Sequence, residues 1–177
     1  MTATFDAFAV RLAGRNVVDA SAGTGKTYAI TSLVTRLVVE RRLRIKDILV
    51  VTFTEAATSQ LRDRVRRRLS EAFDAFAAVA QATPLRPSDL HIYALRRKES
   101  LAADMQWLAL ALQEVDEAPI STIHGFCHRV LQEAALESGV PFEAHLIADA
   151  RPLRDECVLG CAIKDGIDGC RAGAHGQ

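Results

Sequence analysis

The sequence predicts an α/β fold with a parallel sheet. Three observations predict it. A short apolar segment, residues 16–20, runs into a loop of small residues and then a helical pattern. A continuous apolar run, residues 48–53, follows that helix and reads as a strand buried on both faces, as parallel strands are. A third short run, residues 118–124, leads into another helical pattern. Strand, helix and strand in this order make a right-handed βαβ unit. With 177 residues, 49% of them apolar, the chain is one domain, or one and a fraction, with a real core.

Residues 5–12 form an amphipathic lead-in, and Gly14-Arg15 turns into the first strand, 16–20, read as buried. Ala20-Ser21-Ala22-Gly23-Thr24-Gly25-Lys26-Thr27 follows. Placed between a strand and a helix, such a run is a phosphate-binding loop. Gly23 and Gly25 take backbone angles closed to other residues, so the loop can curl around an anion. Its N–H groups point inward, and the helix adds the positive end of its dipole. Lys26 supplies a compact charge to the β- and γ-phosphates, and Thr27 offers its hydroxyl to Mg²⁺. Ala20 stands where the usual pattern begins with Gly. The alternative, a small-residue turn with no ligand, is disfavoured by the strand before it and the helix after it.

The helix over residues 28–42 carries Ile30, Leu33, Val34, Leu37 and Val38 on one face, and Arg41, Arg42 and Arg44 close it. After the 48–53 strand, Thr54 or its neighbour caps a long helix, 55–80. Leu61, Val65, Leu69 and Phe73 share one face of it, and Arg62, Arg64, Arg66, Arg67 and Arg68 lie mostly on the other. Thr83-Pro84 ends it. Two further helices cover 89–98 and 101–115. Pro119 fits near the start of the third strand. The helix over 125–138 turns Phe126, Val130, Leu131 and Leu136 inward, and Gly139 stops it. Residues 140–148 read as extended. Five of the ten glycines fall after residue 151, where periodicity fades into a loose tail.

The formal net charge is zero, so no global basic field points to nucleic acid, although Arg62 to Arg68 and Arg96-Arg97-Lys98 are locally basic. No basic segment followed by a long apolar run opens the chain, and no stretch is long enough to span a membrane. The expected location is cytoplasmic. There, Cys127, Cys157, Cys161 and Cys170 read as free thiols. Together with His175, the last three have spacings that fit no common zinc site.

Two more segments carry chemistry. Thr52-Phe53-Thr54 leaves the second strand, and Thr122-Ile123-His124-Gly125-Phe126 leaves the third. Ligands of α/β sheets sit outside the carboxyl ends of the strands, so both segments open on the edge that holds the phosphate loop. Hydroxyls, a backbone turn and flat rings are the groups that grip a single nucleic-acid strand. Alone, Phe53 reads as a core residue and His124 as a helix-start residue. The order and spacing of the three segments favour the groove.

On these residues the chain resembles the superfamily 1 DNA helicases of the UvrD/Rep type, and among them the beta subunits of exodeoxyribonuclease V. The likeness rests on residues 19–27, 48–58, 116–118 and 122–127, continues at 137–139 and 142–143, and covers about 12–154. It implies an incomplete RecA-like P-loop NTPase domain over 1–150 with a helical insertion at about 60–116, followed by a loose, truncated or frame-shifted tail at 151–177. ATP and Mg²⁺ would be held by Ala20, Ser21, Ala22, Gly23, Thr24, Gly25, Lys26 and Thr27, the last two in catalytic roles. Thr52, Phe53, Thr54, Thr122, His124 and Phe126 would touch single-stranded DNA.

The activity implied is ATP-driven unwinding of DNA ends in recombinational repair of double-strand breaks. The partners implied are single-stranded DNA, DNA ends and the gamma and alpha subunits of the same complex. The insertion would lean on duplex DNA, giving the arginine cluster a role beside that of a solvated face. The family's adenine-reading glutamine is replaced by Ala13. Its acidic pair is not supplied by Asp116-Glu117, which follow a polar segment and precede a strand. Its second-domain arginine and nuclease domain do not fit after residue 154. The chain therefore reads as an amino-terminal fragment with weak nucleotide binding and little hydrolysis. The rival is a stand-alone nucleotide-binding module, which has no reason to keep the two strand-end motifs. A partial sheet also leaves an open edge, a route to aggregation.

Overall fold

The computed structural model describes residues 5–21, 23, 25–83 and 86–134. It divides into two units, Met1–Cys127 and His128–Gln177. The first unit holds the elements below, save the last helix from His128 on. The expectations for Leu136, Gly139, the extended segment 140–148, and the tail with its cysteines and His175 lie outside the described residues.

Helix α1, Lys26–Arg41, buries Val34, Val38 and Val39 and leaves Ile30 partly in solvent. A 3-10 turn, Ile45–Asp47, leads to strand β1, Val50–Thr52. Helix α2, Glu55–Ala80, is the longest element and the axis of the core. It begins where Thr54 accepts a hydrogen bond from the Ala57 N–H, the N-cap expected from the sequence. Leu61, Val65 and Leu69 are buried as expected, and Ala72 and Phe76 continue the stripe while Phe73 is half-buried. Helices α3, Asp89–Arg96, and α4, Leu101–Glu114, pack on α2. Ser88 caps α3 by accepting from the His91 N–H. After a 3-10 turn, Val115–Glu117, strand β2, Ile120–Thr122, runs into α5, Ile123–Glu133. The core gathers side chains from α1, α2, α3, α4 and β2. Phe76, Leu69, Val38 and Leu108 lie fully inside, and Phe76 meets Tyr93 edge-on at 5.8 Å.

The fold class is α/β. β1 and β2 form a two-stranded parallel sheet in which Val50 faces Ile120, Val51 faces Ser121 and Thr52 faces Thr122. Parallel strands need a long crossover, and α2, α3 and α4 supply it.

Three expectations are corrected. Residues 16–20 are not a buried strand. They run as irregular chain, with Val17 88% exposed, and no strand described here lies beside them to pair with their backbone. The first βαβ unit is therefore not formed. β1 is not buried on both faces either. Ile48 points inward, whereas Leu49 and Val51 stand about half exposed, because α2 covers only one side of the sheet. Lastly, Val130 and Leu131 of α5 are exposed. An apolar stripe on a helix creates a demand for a partner surface without supplying one.

Buried charges tie the helices together. Asp104 of α4, with no exposed surface, receives Arg42 at 2.6 Å, Arg97 at 2.6 and 3.0 Å, and the Ser100 hydroxyl at 3.0 Å. Arg42 closes α1 with φ of +56°, a costly angle for a side-chain-bearing residue that this ion pair helps to hold. Arg36 of α1, also buried, donates to the Ala7 and Val10 carbonyls at 2.7 and 2.8 Å and makes a fork to Glu40.

Burial works against the charge on Glu40, but the hydrogen bonds from Arg36 and Tyr93 outweigh it and hold the carboxyl below its ordinary range. Asp89 is held low in the same way, against burial, by Arg68 and Tyr28. A carboxyl that ionises more readily when folded contributes stability above its unfolded pKa, near 4. That stability is lost as pH falls through the lower folded value. Urea midpoints should therefore stay level from neutrality to about pH 5 and then fall. Glu40→Gln should lower the midpoint at pH 7 and flatten the acid decline. An unchanged acid slope in that variant would remove Glu40 from the account.

Candidate functional site

The loop before α1 and the carboxyl ends of β1 and β2 hold the residues singled out above. Ala22 and Thr24 lie outside the described residues. Gly23 and Gly25 have φ of +79° and +94°, the left-handed region, and a Cβ at either would meet nothing within 4 Å. Both glycines are thus required by conformation rather than by crowding. Lys26 is exposed and turns back to donate to the carbonyls of Ala20 and Ser21 at 2.6 and 2.7 Å. Gly25 caps α1 with no side-chain acceptor, and no acidic residue sits in the first turn, so nothing in the helix's own sequence neutralises its positive end. Thr27 is half-buried beside this end. Positive backbone angles, an exposed ammonium and an uncapped helix start are features that suit a phosphate group. Ala13 is exposed and makes no base-reading contact available, since it offers a methyl group alone.

The turn after the loop is fastened from the side. Tyr28 donates its hydroxyl to Asp89 at 2.6 Å, and the Arg68 guanidinium lies 4.9 Å from the Tyr28 ring centre, pairs with Asp89 and donates to Ser32. Burial, and then the adjacent Asp89, push the Tyr28 phenol above its ordinary value.

At the sheet edge, the parallel register sets Thr52 beside Thr122. Thr52 shares a hydrogen bond with the Thr58 hydroxyl at 2.7 Å and donates to the Thr54 carbonyl at 3.1 Å, binding the strand end to the start of α2. Thr122 is buried and accepts from the Gly125 N–H at 3.0 Å, which starts α5. A Cβ on Gly125 would stand 3.1 Å from that hydroxyl, so the turn is fitted to glycine. Beyond these anchored threonines, Phe53 is 87% exposed and His124 is exposed, while Phe126 is half-buried. An apolar ring held this far into solvent by a rigid strand end is available for stacking.

The arginine cluster departs from expectation. Arg62 donates to the carbonyls of Asp116, Ala118 and Ile120, Arg66 pairs with Asp116, and Arg68 is clasped as described. Arg62 and Arg68 hold α2 to its neighbours and are neither a solvated face nor a free basic patch, whereas Arg66, in an ion pair open to water, stays on the solvated face. Arg64 and Arg67 remain exposed. Asp116 and Glu117 sit in the 3-10 turn before β2, at the opposite end of that strand from Thr122, so they are not an acidic pair at the ligand edge. Among the described residues no group of three or more His, Cys, Asp or Glu could hold a metal, and no helix is long and apolar enough to cross a membrane. Cys127 is a free, exposed thiol.

Residues 2–161 match the family model of the UvrD/REP helicase N-terminal domain. The chain is 41% identical to RecBCD enzyme subunit RecB of Escherichia coli (strain K12) over 159 residues, covering 85% of this chain and 13% of that protein. It is 40% identical to the same subunit of Haemophilus influenzae over 147 residues, covering 78% of the chain and 12% of the relative. With that of Chlamydia trachomatis serovar D the figures are 36% over 135 residues, 73% and 13%. The chain thus spans about an eighth of the length of the curated relatives it matches.

Proposed function

Because the chain belongs to the UvrD/REP helicase N-terminal domain family, we propose that it is the ATP-binding amino-terminal part of a RecB-like, ATP-dependent DNA helicase and exonuclease subunit that acts on DNA ends in recombinational repair. In this reading residues 1–150 belong to a RecA-like P-loop domain with a helical insertion over about 60–116. Ala20 to Thr27 cradle the nucleotide. Lys26 exchanges its two loop carbonyls for phosphate oxygens, and Thr27 takes Mg²⁺. The nucleotide supplies the free energy of phosphoryl transfer, and the residues here bind and orient it. Thr52, Phe53, Thr54, Thr122, His124 and Phe126 form one edge for single-stranded DNA. The gamma and alpha subunits of exodeoxyribonuclease V are the protein partners, in the cytoplasm.

The single observation that carries the DNA reading is the pairing of Thr52 with Thr122 at the carboxyl ends of two parallel strands, with exposed Phe53 and His124 just beyond. Base–aromatic stacking is worth about 1–3 kcal/mol per base. Phe53→Ala should weaken binding of labelled oligothymidylate, followed by anisotropy, about fivefold or more. It should leave the urea midpoint unchanged, since so exposed a ring contributes little to the core. A non-hydrolysable ATP analogue should change the oligonucleotide affinity of the unaltered chain. Indifference of that affinity both to the analogue and to Phe53→Ala would refute the motor reading.

A further inference from the structure

We propose that Arg64 and Arg67, together with Thr27, form a second phosphate-binding pocket on the seam between the start of α1 and the outer face of α2. The seam holds a cavity of about 170 Å³ walled by Thr27, Tyr28, Arg64, Arg67, Arg68 and Glu71. Three guanidiniums and one carboxylate leave its walls net positive. Arg68 is already committed to Asp89, to Ser32 and to the Tyr28 ring, and lies 3.6 Å from Glu71. Arg64 and Arg67 are exposed and have no partner among the described residues. Their spacing of three puts them on one face of α2, where like charges repel unless an anion stands between them. The Nε–H of Arg68, closed off from solvent, also lacks an acceptor. Being closed off, that donor does not face the cavity, and the donors open to a ligand are those of Arg64 and Arg67.

Size selects the ligand. At about 30 Å³ for each water, the cavity has room for a phosphate group with a few waters. The guanidinium fork matches phosphate oxygens two at a time. The ligand is therefore a phosphate group, presented either by a nucleotide in the adjoining loop or by the backbone of a nucleic-acid strand. Only its relation to the nucleotide, through the shared Thr27, rests on the loop reading. The pocket itself does not.

The test titrates the full chain with inorganic phosphate at low salt, by calorimetry, in three forms: unaltered, Lys26→Ala, and Arg64→Ala with Arg67→Ala. Lys26→Ala should retain a phosphate-binding event that the double variant loses by tenfold or more, and Arg64→Lys with Arg67→Lys should restore part of it. Equal urea midpoints would show that the exposed arginines were removed without unfolding. Mg-ADP and oligothymidylate then identify the source, since the ligand whose affinity falls in the double variant is the one that fills the pocket. A double variant that binds phosphate with the same affinity and stoichiometry as the unaltered chain overturns the proposal. If it is lost in Lys26→Ala alone, the anion sits in the loop, which refutes the pocket and leaves the loop reading intact. Normal nucleotide binding by Lys26→Ala would instead refute the loop reading without touching the pocket.

Discussion

Asp104→Ala is expected to cost about 3–5 kcal/mol of stability, the loss seen when one partner of a buried ion pair is removed. The carboxylate has no exposed surface and holds Arg42, Arg97 and Ser100 together. Its removal strands two guanidiniums at the junction of α1, α3 and α4, and one Arg42 nitrogen already lacks a partner there. Domains of this size are stable by only about 5–15 kcal/mol, so the variant should lose a fifth or more of its margin. Urea unfolding followed by circular dichroism measures it. Asp104→Asn, which keeps the shape but not the charge, should fall between. A loss under about 1 kcal/mol for Asp104→Ala would mean that the arginines find water instead.

Lys26→Ala should leave stability within about 0.5 kcal/mol, as exposed substitutions do, because the ammonium touches only its own loop. Nucleotide affinity should fall by about 1.5–3 kcal/mol, the worth of a hydrogen bond to a charged group. That is roughly tenfold to a hundredfold in a titration with fluorescent Mg-nucleotide. Affinity equal to that of the unaltered chain would take the ammonium out of the site. Hydrolysis by both forms is expected to lie near background.

What could be read from residue order was what is decided locally. The start of α2 was legible because Thr54 and the stripe of Leu61, Val65 and Leu69 lie within a few turns of one another. The two glycines of the loop were legible because positive φ is a property of the residue itself. Pairing is not local. Residues 16–20 have the composition of a strand, yet a strand exists only where another lies alongside, and none described here does. The arginines of α2 misled for the same reason. The carbonyls that engage Arg62 are 54 to 58 positions away, and the Asp89 that engages Arg68 is 21 away, so a run that looked like one basic face serves two purposes. Asp104 gave no signal at all, since its partners, Arg42 and Arg97, come from different elements.

The contacts of Arg36 set a practical limit on trimming. A shortened version that begins just ahead of the glycine loop would look sufficient by motif. It would lack the Ala7 and Val10 carbonyls that accept hydrogen bonds from a cation buried at the middle of α1. Residues 7–10 are thus a plug, and an affinity tag belongs ahead of them, never in their place.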